Sequence, residues 1–303
     1  MGSSKNKLLS FLAIIFTILF WGFSYISTKT LLQTLSPFQV AAGRFLLAAG
    51  ILLVISLATG KLQSIQKRDL PRMLFSAFSG IFVYFIFENS GLRLTTAGMG
   101  SLIIATIPVL NVIVSSVLLR KKAALQTWIG VLLSAGGVYL VIRGGANFSG
   151  ASFLGNLLVI GAAISWVVYT LLNQPLTQKY DTFSLNLYQT LFGAALLFIL
   201  ALCEGRPIPV LKTGIFLNLG FLALCCSALG YLFYNYALRR LGSTVVTTFI
   251  NFIPVCGVLG GIFILKEPFG FEQIIGGLVI LGGVMLVSFN QERNSVEQTN
   301  IAS

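Results

Sequence analysis

Long apolar runs separated by short polar breaks dominate the pattern of the chain. A membrane-spanning helix needs about 20 mostly apolar residues, and ten runs of about that length can be marked. They cover residues 8–28, 38–58, 72–91, 95–119, 126–143, 153–173, 183–203, 213–236, 243–265 and 270–289. Because little chain remains between them, the pattern predicts an all-α membrane protein without a soluble domain.

The second half of the chain repeats the first. Phe87–Val141 aligns on Phe233–Val287 without a gap, 146 residues further on. Some shared residues are ones that apolar composition does not explain: Asn89/Asn235, Arg93/Arg239, Pro108/Pro254 and Gly137/Gly283. The earlier segments match with an offset of 145, which pairs Trp21 with Trp166 and Arg44 with Gln189. A membrane protein built from two copies of one unit usually holds its site between them.

Five predicted spans in each half is an odd number, so the second copy enters the membrane the opposite way up. We therefore expect ten transmembrane helices in a 5+5 inverted repeat around a central cavity, an arrangement suited to alternating access. The expected units are a first repeat at residues 1–143, a linker at 144–152, a second repeat at 153–290 and a cytoplasmic tail at 291–303. Small residues along the fifth and tenth segments predict close packing of those two helices.

Charge is sparse and unevenly placed. Mean hydropathy is +0.92, and charged residues make up 9% of the chain against about 25% in soluble domains. With a cytoplasmic N-terminus, the cytoplasmic loops receive thirteen Lys and Arg residues and the outer loops six. That bias predicts a multi-pass protein of the cytoplasmic membrane with both termini in the cytoplasm. The formal charge of +12 is thereby explained by topology, and no nucleic-acid partner is expected.

These motifs resemble the EamA family of the drug/metabolite transporter superfamily. The first half contributes Trp21-Gly22, Arg44, Glu88-Asn89-x-x-Leu92-Arg93-x-Thr95 and Pro108, and the second half Trp166, Pro254, Lys266-Glu267-Pro268 and Gly276–Gly283. The resemblance covers essentially the whole chain. It implies ten helices in two inverted repeats, a central cavity, and transport of small metabolites such as amino acids.

Arg44 and Glu88 are the charges that fall well inside predicted helices. Charged side chains in the hydrocarbon region are costly and often functional. Three interpretations of these two residues stay open: an ion pair between two helices, a gate or substrate-charge site, and a Glu88 carboxylate that reaches interfacial water. The matching positions of the second half, Gln189 and Tyr234, are neutral.

Pro108 and Pro254 fall inside the fourth and ninth predicted helices. Proline removes one backbone hydrogen bond and clashes one turn back, so each helix should bend near Ile104 or Ile250. They are hinge candidates, and plain packing kinks are the alternative. Asn89 and Asn235 are expected either to join helices or to contact a ligand.

Aromatic and amide side chains supply further cavity candidates. An aromatic lining suits apolar or cationic ligands, whereas anchoring at the membrane interface is the alternative role of Trp and Tyr. The expected cavity set is Trp21, Tyr84, Glu88, Asn111, Trp166, Tyr169, Tyr231 and Asn251.

The predicted function is a secondary transporter. No GxxxxGK[ST] motif for nucleotide is present, there is no histidine, and the four cysteines lack metal-ligand spacing. We therefore expect no enzyme activity, no catalytic residue, no metal and no cofactor. The expected partners are the lipid bilayer and a small organic solute such as an amino acid, an amine or a drug-like compound, moved outward. A proton as coupling ion, and a monomer or a homodimer, stay open. A channel and a membrane scaffold or sensor are the alternatives.

Overall fold

The computed structural model describes residues 2–60, 62–118, 124–144, 150–209, 212–234, 236–237, 240–241, 249 and 252–302. Helices account for nearly all of these residues, and the described part of the chain contains no strand. The all-α prediction is therefore confirmed. Within the described residues, twelve α-helices and two π-helical segments can be defined. They are α1 (Gly2–Leu31), α2 (Pro37–Thr59), α3 (Leu70–Ala77), π1 (Phe78–Val83), α4 (Tyr84–Leu94), α5 (Ala97–Ile104), α6 (Ile107–Leu118), α7 (Leu125–Arg143), α8 (Gly150–Lys179), α9 (Thr182–Cys203), α10 (Thr213–Gly220), π2 (Phe221–Leu229), α11 (Ile253–Phe263) and α12 (Phe271–Ala302).

Eight helical segments of the described chain are long and apolar enough to cross a membrane. They are Leu8–Leu31, Pro37–Thr59, Leu70–Leu94, Ala97–Val114, Leu125–Arg143, Ser152–Lys179, Thr182–Cys203 and Thr213–Tyr234. Two shorter apolar helices, Ile253–Phe263 and Phe271–Val287, lie within the last two predicted runs. Most of the first part of the ninth run, 243–252, lies outside the described residues. Large apolar side chains such as Leu57 and Leu132 are 76% and 72% exposed. Exposed apolar side chains of this kind suit contact with lipid. Helices also suit lipid, because they satisfy their backbone polar groups internally.

Helices α7 and α12 pack directly on each other, as their small residues predicted. A Cβ added to Gly130 would lie 2.7 Å from the Gly283 carbonyl oxygen, and one added to Gly137 would lie 2.7 Å from that of Gly276. The same closeness holds in the opposite direction from Gly276 and Gly283. Only glycine permits backbones to approach to this distance.

Two π-helical segments interrupt corresponding helices of the two halves. The segment π1 separates α3 from α4, and π2 follows α10, beginning 143 residues after the start of π1. Each packs on a helix of the other half. The Ser79 hydroxyl in π1 donates to the Ser165 carbonyl of α8 (2.7 Å), and the Cys226 thiol in π2 donates to the Phe20 carbonyl of α1 (3.2 Å). Because Ser165 and Phe20 are repeat-equivalent and the two donors differ by one residue of register, the two contacts correspond closely. No sequence pattern indicated the π segments, which in general often occur at functional sites.

Polar side chains fasten helix ends outside the hydrocarbon region. Asp69, just before α3, accepts hydrogen bonds from Lys179 and from the Tyr180 hydroxyl at the end of α8. These two donors hold the pKa of the Asp69 carboxyl below its usual range. The contact fixes the start of α3 against the end of α8, so the helices that carry the central residues keep their relative register.

Candidate functional site

A cavity of about 190 Å³ lies between the two halves. It is bounded by α1, α2, α4, the junction of α5 with α6, α8, the helical turn after π2, and the start of α11. Its lining residues are Trp21, Ser24, Tyr25, Arg44, Tyr84, Phe85, Glu88, Ser101, Ile104, Ala105, Ile107, Pro108, Asn111, Trp166, Val167, Thr170, Tyr231, Tyr234, Ile253 and Pro254. The volume falls below the range of about 300–1,000 Å³ typical of pockets for drug-sized ligands, so it suits a smaller solute.

Aromatic rings form much of the cavity wall. The rings of Trp21 and Trp166, the repeat-equivalent pair, meet edge to face with centroids 6.3 Å apart. Tyr231 contacts both, at 5.5 Å from Trp21 and 6.1 Å from Trp166. Tyr84 lies 5.1 Å from Trp166, and Tyr234 lies 5.4 Å from Trp21. The result is a continuous aromatic surface to which both halves contribute.

Trp21 is fixed in place by the irregular backbone of the other half. Its indole N–H donates to the Cys226 carbonyl oxygen in π2 at 3.0 Å. A Cβ on Gly230 would lie 2.8 Å from that indole nitrogen. Glycine is therefore required at position 230 for the indole to approach, and the buried N–H finds the partner that it needs.

Arg44 enters the cavity from α2 and is 4% exposed. Its Nε donates to the Ser227 hydroxyl at 2.7 Å, across the boundary between the halves. The guanidinium carbon lies 4.5 Å from the centre of the Phe85 ring and 5.5 Å from that of Phe45. A guanidinium keeps its charge in proteins, and stacking on aromatic faces lowers the cost of burying it.

Glu88 enters from α4 and is 6% exposed. Its Oε1 accepts a hydrogen bond from the Tyr84 hydroxyl at 2.9 Å, and the Tyr25 side chain lies close enough to interact with the carboxylate. Within the described residues the ion pairs are Lys179–Asp69 and Arg206–Glu204. A direct ion pair between Arg44 and Glu88, one of the expected alternatives, is therefore not formed, because Arg44 turns toward Ser227 and Glu88 toward Tyr84. The cavity thus presents one cation and one anion that are not paired with each other.

The predicted hinge residues flank the cavity in different settings. The helix ends at Ile104 and resumes at Ile107, so the break falls one turn before Pro108, where a proline deprives the Ile104 carbonyl of its usual donor. Pro254 instead occupies the first turn of α11, where a proline fits without distortion. The expected bend at Ile250 lies outside the described residues.

Most of the expected cavity residues meet at this one place. Trp21, Tyr84, Glu88, Asn111, Trp166 and Tyr231 line it, together with Arg44, Pro108 and Pro254. The Asn111 side-chain oxygen has no hydrogen-bond partner among the described residues. Tyr169 is not in the lining and lies behind Trp166, with ring centroids 5.0 Å apart. Asn251 lies outside the described residues, as does Asn235. Asn89 joins two helices, since its amide donates to the Pro37 carbonyl at 3.0 Å.

Several lining residues were absent from the expected set. They are Ser24, Tyr25, Phe85, Ser101, Ile104, Ala105, Ile107, Val167, Thr170, Tyr234 and Ile253. Helical spacing carried the signal for many of them. Ser24 and Tyr25 lie three and four residues after Trp21, and Ser101 and Ile104 lie seven and four before Pro108. Residues at these spacings share a helix face, so extending each candidate along its face would have found them.

The chain matches known proteins over almost its full length. The model of the EamA-like transporter family matches twice, at residues 8–143 and 153–289. An uncharacterized transporter of Archaeoglobus fulgidus is 30% identical over 294 residues, covering 96% of this chain and 100% of the relative. The uncharacterized transporter YyaM of Bacillus subtilis is 26% identical and covers 89% of this chain and 90% of its own.

Solved protein structures share the fold, and one of them illustrates the match. It superposes with a TM-score of 0.65 at 21% sequence identity, covering 96% of this chain and 98% of the other. The chain has several apolar helices of membrane-spanning length, two matches to the family model and a cavity between the two halves. These findings agree with its similarity to transporters. The chain belongs to the EamA-like transporter family.

Proposed function

We propose that this protein is a secondary transporter that moves a small solute bearing both a positive and a negative group, an amino acid being the simplest example. The observation that carries the proposal is the pair of buried charges, Arg44 and Glu88, in one aromatic cavity without a direct contact between them. A buried charge is costly unless it is paired. A zwitterionic solute would offer its carboxylate to the guanidinium and its ammonium to Glu88.

The proposed mechanism is alternating access in a 5+5 inverted repeat of ten spans. The matched contacts of π1 with α8 and of π2 with α1 support it, because an internal two-fold axis would relate them. The packing of α7 on α12 supports it in the same way. On this scheme Pro108 and Pro254 act as hinges on opposite sides of one site. We further propose the cytoplasmic membrane, cytoplasmic termini and outward transport. The coupling ion is a proton or none, and the protein works as a monomer or a homodimer.

Ligand-dependent stability of the purified protein tests the function. A solute that binds only the folded state at 100 times its Kd adds about 2.7 kcal/mol of stability. We expect amino acids to raise the melting temperature more than amines, nucleosides or neutral drug-like compounds. The same solute should then exchange across liposomes that contain the protein, without ATP.

Each alternative function has its own outcome in these experiments. Binding without exchange would identify a sensor or scaffold and would overturn the transport proposal. Flux that does not saturate with solute concentration would identify a channel. Stabilisation by singly charged amines alone would overturn the assignment of a zwitterionic solute.

A further inference from the structure

Two charged side chains hold the turn between α4 and α5 from opposite ends. The Lys29 ammonium, near the end of α1, donates to the Leu92 carbonyl at 2.6 Å and to the Thr95 carbonyl. The Glu267 carboxylate, between α11 and α12, accepts from the Ala97 amide at 2.8 Å and from the Gly98 amide at 3.2 Å. The first pair of contacts caps the carbonyl end of α4, and the second caps the amide end of α5.

Both contacts satisfy backbone groups that a helix end leaves open. They also place a cation at a helix C-terminus and an anion at an N-terminus, the favourable arrangement for the helix dipole. The turn is the meeting point of α1, α4, α5 and the α11–α12 connection. Thr95 adds a contact with α8, because its hydroxyl donates to the Asn156 side-chain oxygen at 2.7 Å.

These residues lie directly beyond the cavity on three helices. Tyr25, Glu88 and Ser101 line the cavity. The residues four positions further toward this end of the molecule are Lys29 in α1, Leu92 in α4 and Ala97 in α5. Four residues make about one helical turn, or roughly 6 Å of rise. The contacts of Lys29 and Glu267 therefore form the layer next to the cavity.

The backbone around Glu267 is shaped for this contact. Lys266 has a φ of +57°, in the left-handed region that is uncommon for residues other than glycine. A Cβ on Gly261 would lie 2.6 Å from the Glu267 Oε2. A strained residue and a required glycine thus hold this carboxylate against α5.

We propose that Lys29 and Glu267 form a latch, binding the Thr95–Gly98 turn, that closes the mouth of the cavity on this side and must release for the solute to pass. The inference rests on the proposed transport function and names the closing device of that same site. In the proposed orientation this mouth is the outer one. The repeat-equivalent of Lys29 is Gln174, which is neutral and exposed. The lysine of the latch therefore has no charged counterpart at the corresponding position of the second repeat.

Accessibility of the cavity tests the latch without any solute. Ser24→Cys places a reactive thiol in the lining, in a background where the four native cysteines are replaced by alanine. A membrane-impermeant thiol reagent is added from the Lys29 side or from the other side of sealed vesicles. Lys29→Met and Glu267→Gln should each raise the labelling rate from the Lys29 side by about tenfold, since each removes charge-assisted hydrogen bonds that hold the turn. The double variant should gain little more, because both side chains hold the same turn.

The controls separate release of the latch from general loosening. Lys212→Met removes an exposed lysine before α10 and should leave labelling unchanged. Gly261→Ala keeps every charge but displaces the Glu267 carboxylate, so it should act like Glu267→Gln and covers the case in which that variant does not fold. Unchanged labelling in the latch variants, or an equal rise from both sides, would overturn the proposal. If labelling rises as expected while no solute binds or exchanges, the latch stands and the transport function fails.

Discussion

The two halves of this protein use equivalent positions for different purposes. Arg44 in the first half donates to Ser227 of the second half at 2.7 Å. Its counterpart Gln189 donates to Ser76 of the first half at 2.6 Å and to Asn173 at 2.9 Å. Both side chains thus reach from the second helix of one repeat to the π-interrupted helix of the other. The repeat preserves the crossing contact, while only the first half puts a charge into it.

The acidic position shows the same division. Glu88 has Tyr234 as its repeat-equivalent, and both line the cavity. The comparison shows that the two halves share a framework of crossing contacts but differ in the charge that they place on it. A site with its charges on one side of an internal repeat can hold a polar solute in one orientation.

The largest expected effect comes from making the first half resemble the second at Arg44. Arg44→Gln should weaken binding of leucine by at least about thirtyfold, because removing one partner of a buried charge pair costs 2–5 kcal/mol or more. Binding of leucine methyl ester, which has no carboxylate, should change far less. Isothermal titration of the purified variants measures both affinities.

Two further variants sharpen this comparison. Glu88→Gln should instead weaken the binding of leucine and leave the binding of 4-methylpentanoate, which has no ammonium group, nearly unchanged. Arg206→Gln removes an arginine outside the cavity that pairs with Glu204, and it should leave all three affinities unchanged. If Arg44→Gln lowers the affinities for leucine and for its methyl ester equally, Arg44 supports the fold and does not bind the carboxylate.

The next effect tests the framework that the halves share. Each repeat carries two adjacent glycines in its last helix, Gly136-Gly137 and Gly282-Gly283. A methyl group at Gly137 or Gly283 would press on the facing backbone, whereas one at Gly136 or Gly282 meets nothing within 4 Å. Gly137→Ala and Gly283→Ala should each cost about 1–3 kcal/mol through overpacking.

Thermal melts of the four alanine variants in detergent provide the matched comparison. Gly136→Ala and Gly282→Ala should have the melting temperature of the parent protein or a slightly higher one, since alanine favours the helix. Similar melting temperatures for all four variants would contradict the tight α7–α12 contact.

The smallest expected effect concerns the prolines. Pro108→Ala restores an amide that can reach the Ile104 carbonyl, so it should join α5 to α6 and slow solute exchange several-fold with little change in affinity. Pro254→Ala, in the first turn of α11, should act more weakly. In the proposed inverted repeat, the two variants should shift cysteine accessibility toward opposite mouths. A shift toward the same mouth would make both prolines packing kinks.

Much of the fold was readable from the sequence because lipid imposes simple rules. Apolar runs of helical length identified the membrane helices, and the aligned Pro, Gly and Asn residues identified the repeat. Small residues identified the α7–α12 contact. These features follow from local composition and from comparison of the chain with itself, so they need no knowledge of which side chains meet.

The candidate site could be predicted only in part, because its hydrogen bonds depend on which side chains meet. Polarity and repeat equivalence indicated Trp21, Trp166, Arg44 and Glu88, and the cavity brings them together. Their partners were not readable. Arg44 donates to Ser227, and Glu88 accepts from Tyr84, so neither side chain bonds the other. Which partner each side chain finds depends on its direction in the folded protein.

The sequence by itself determined a membrane protein of two related halves with charge placed in one of them. Tertiary structure decided where that charge points. It supplied the second π segment, where the Cys226 carbonyl accepts from Trp21 and the Ser227 hydroxyl accepts from Arg44. It also brought Lys29 and Glu267, 238 residues apart in the chain, onto one turn. Periodicity reports which face of a helix is apolar, whereas contacts between distant helices depend on their packing against one another, which no local pattern encodes.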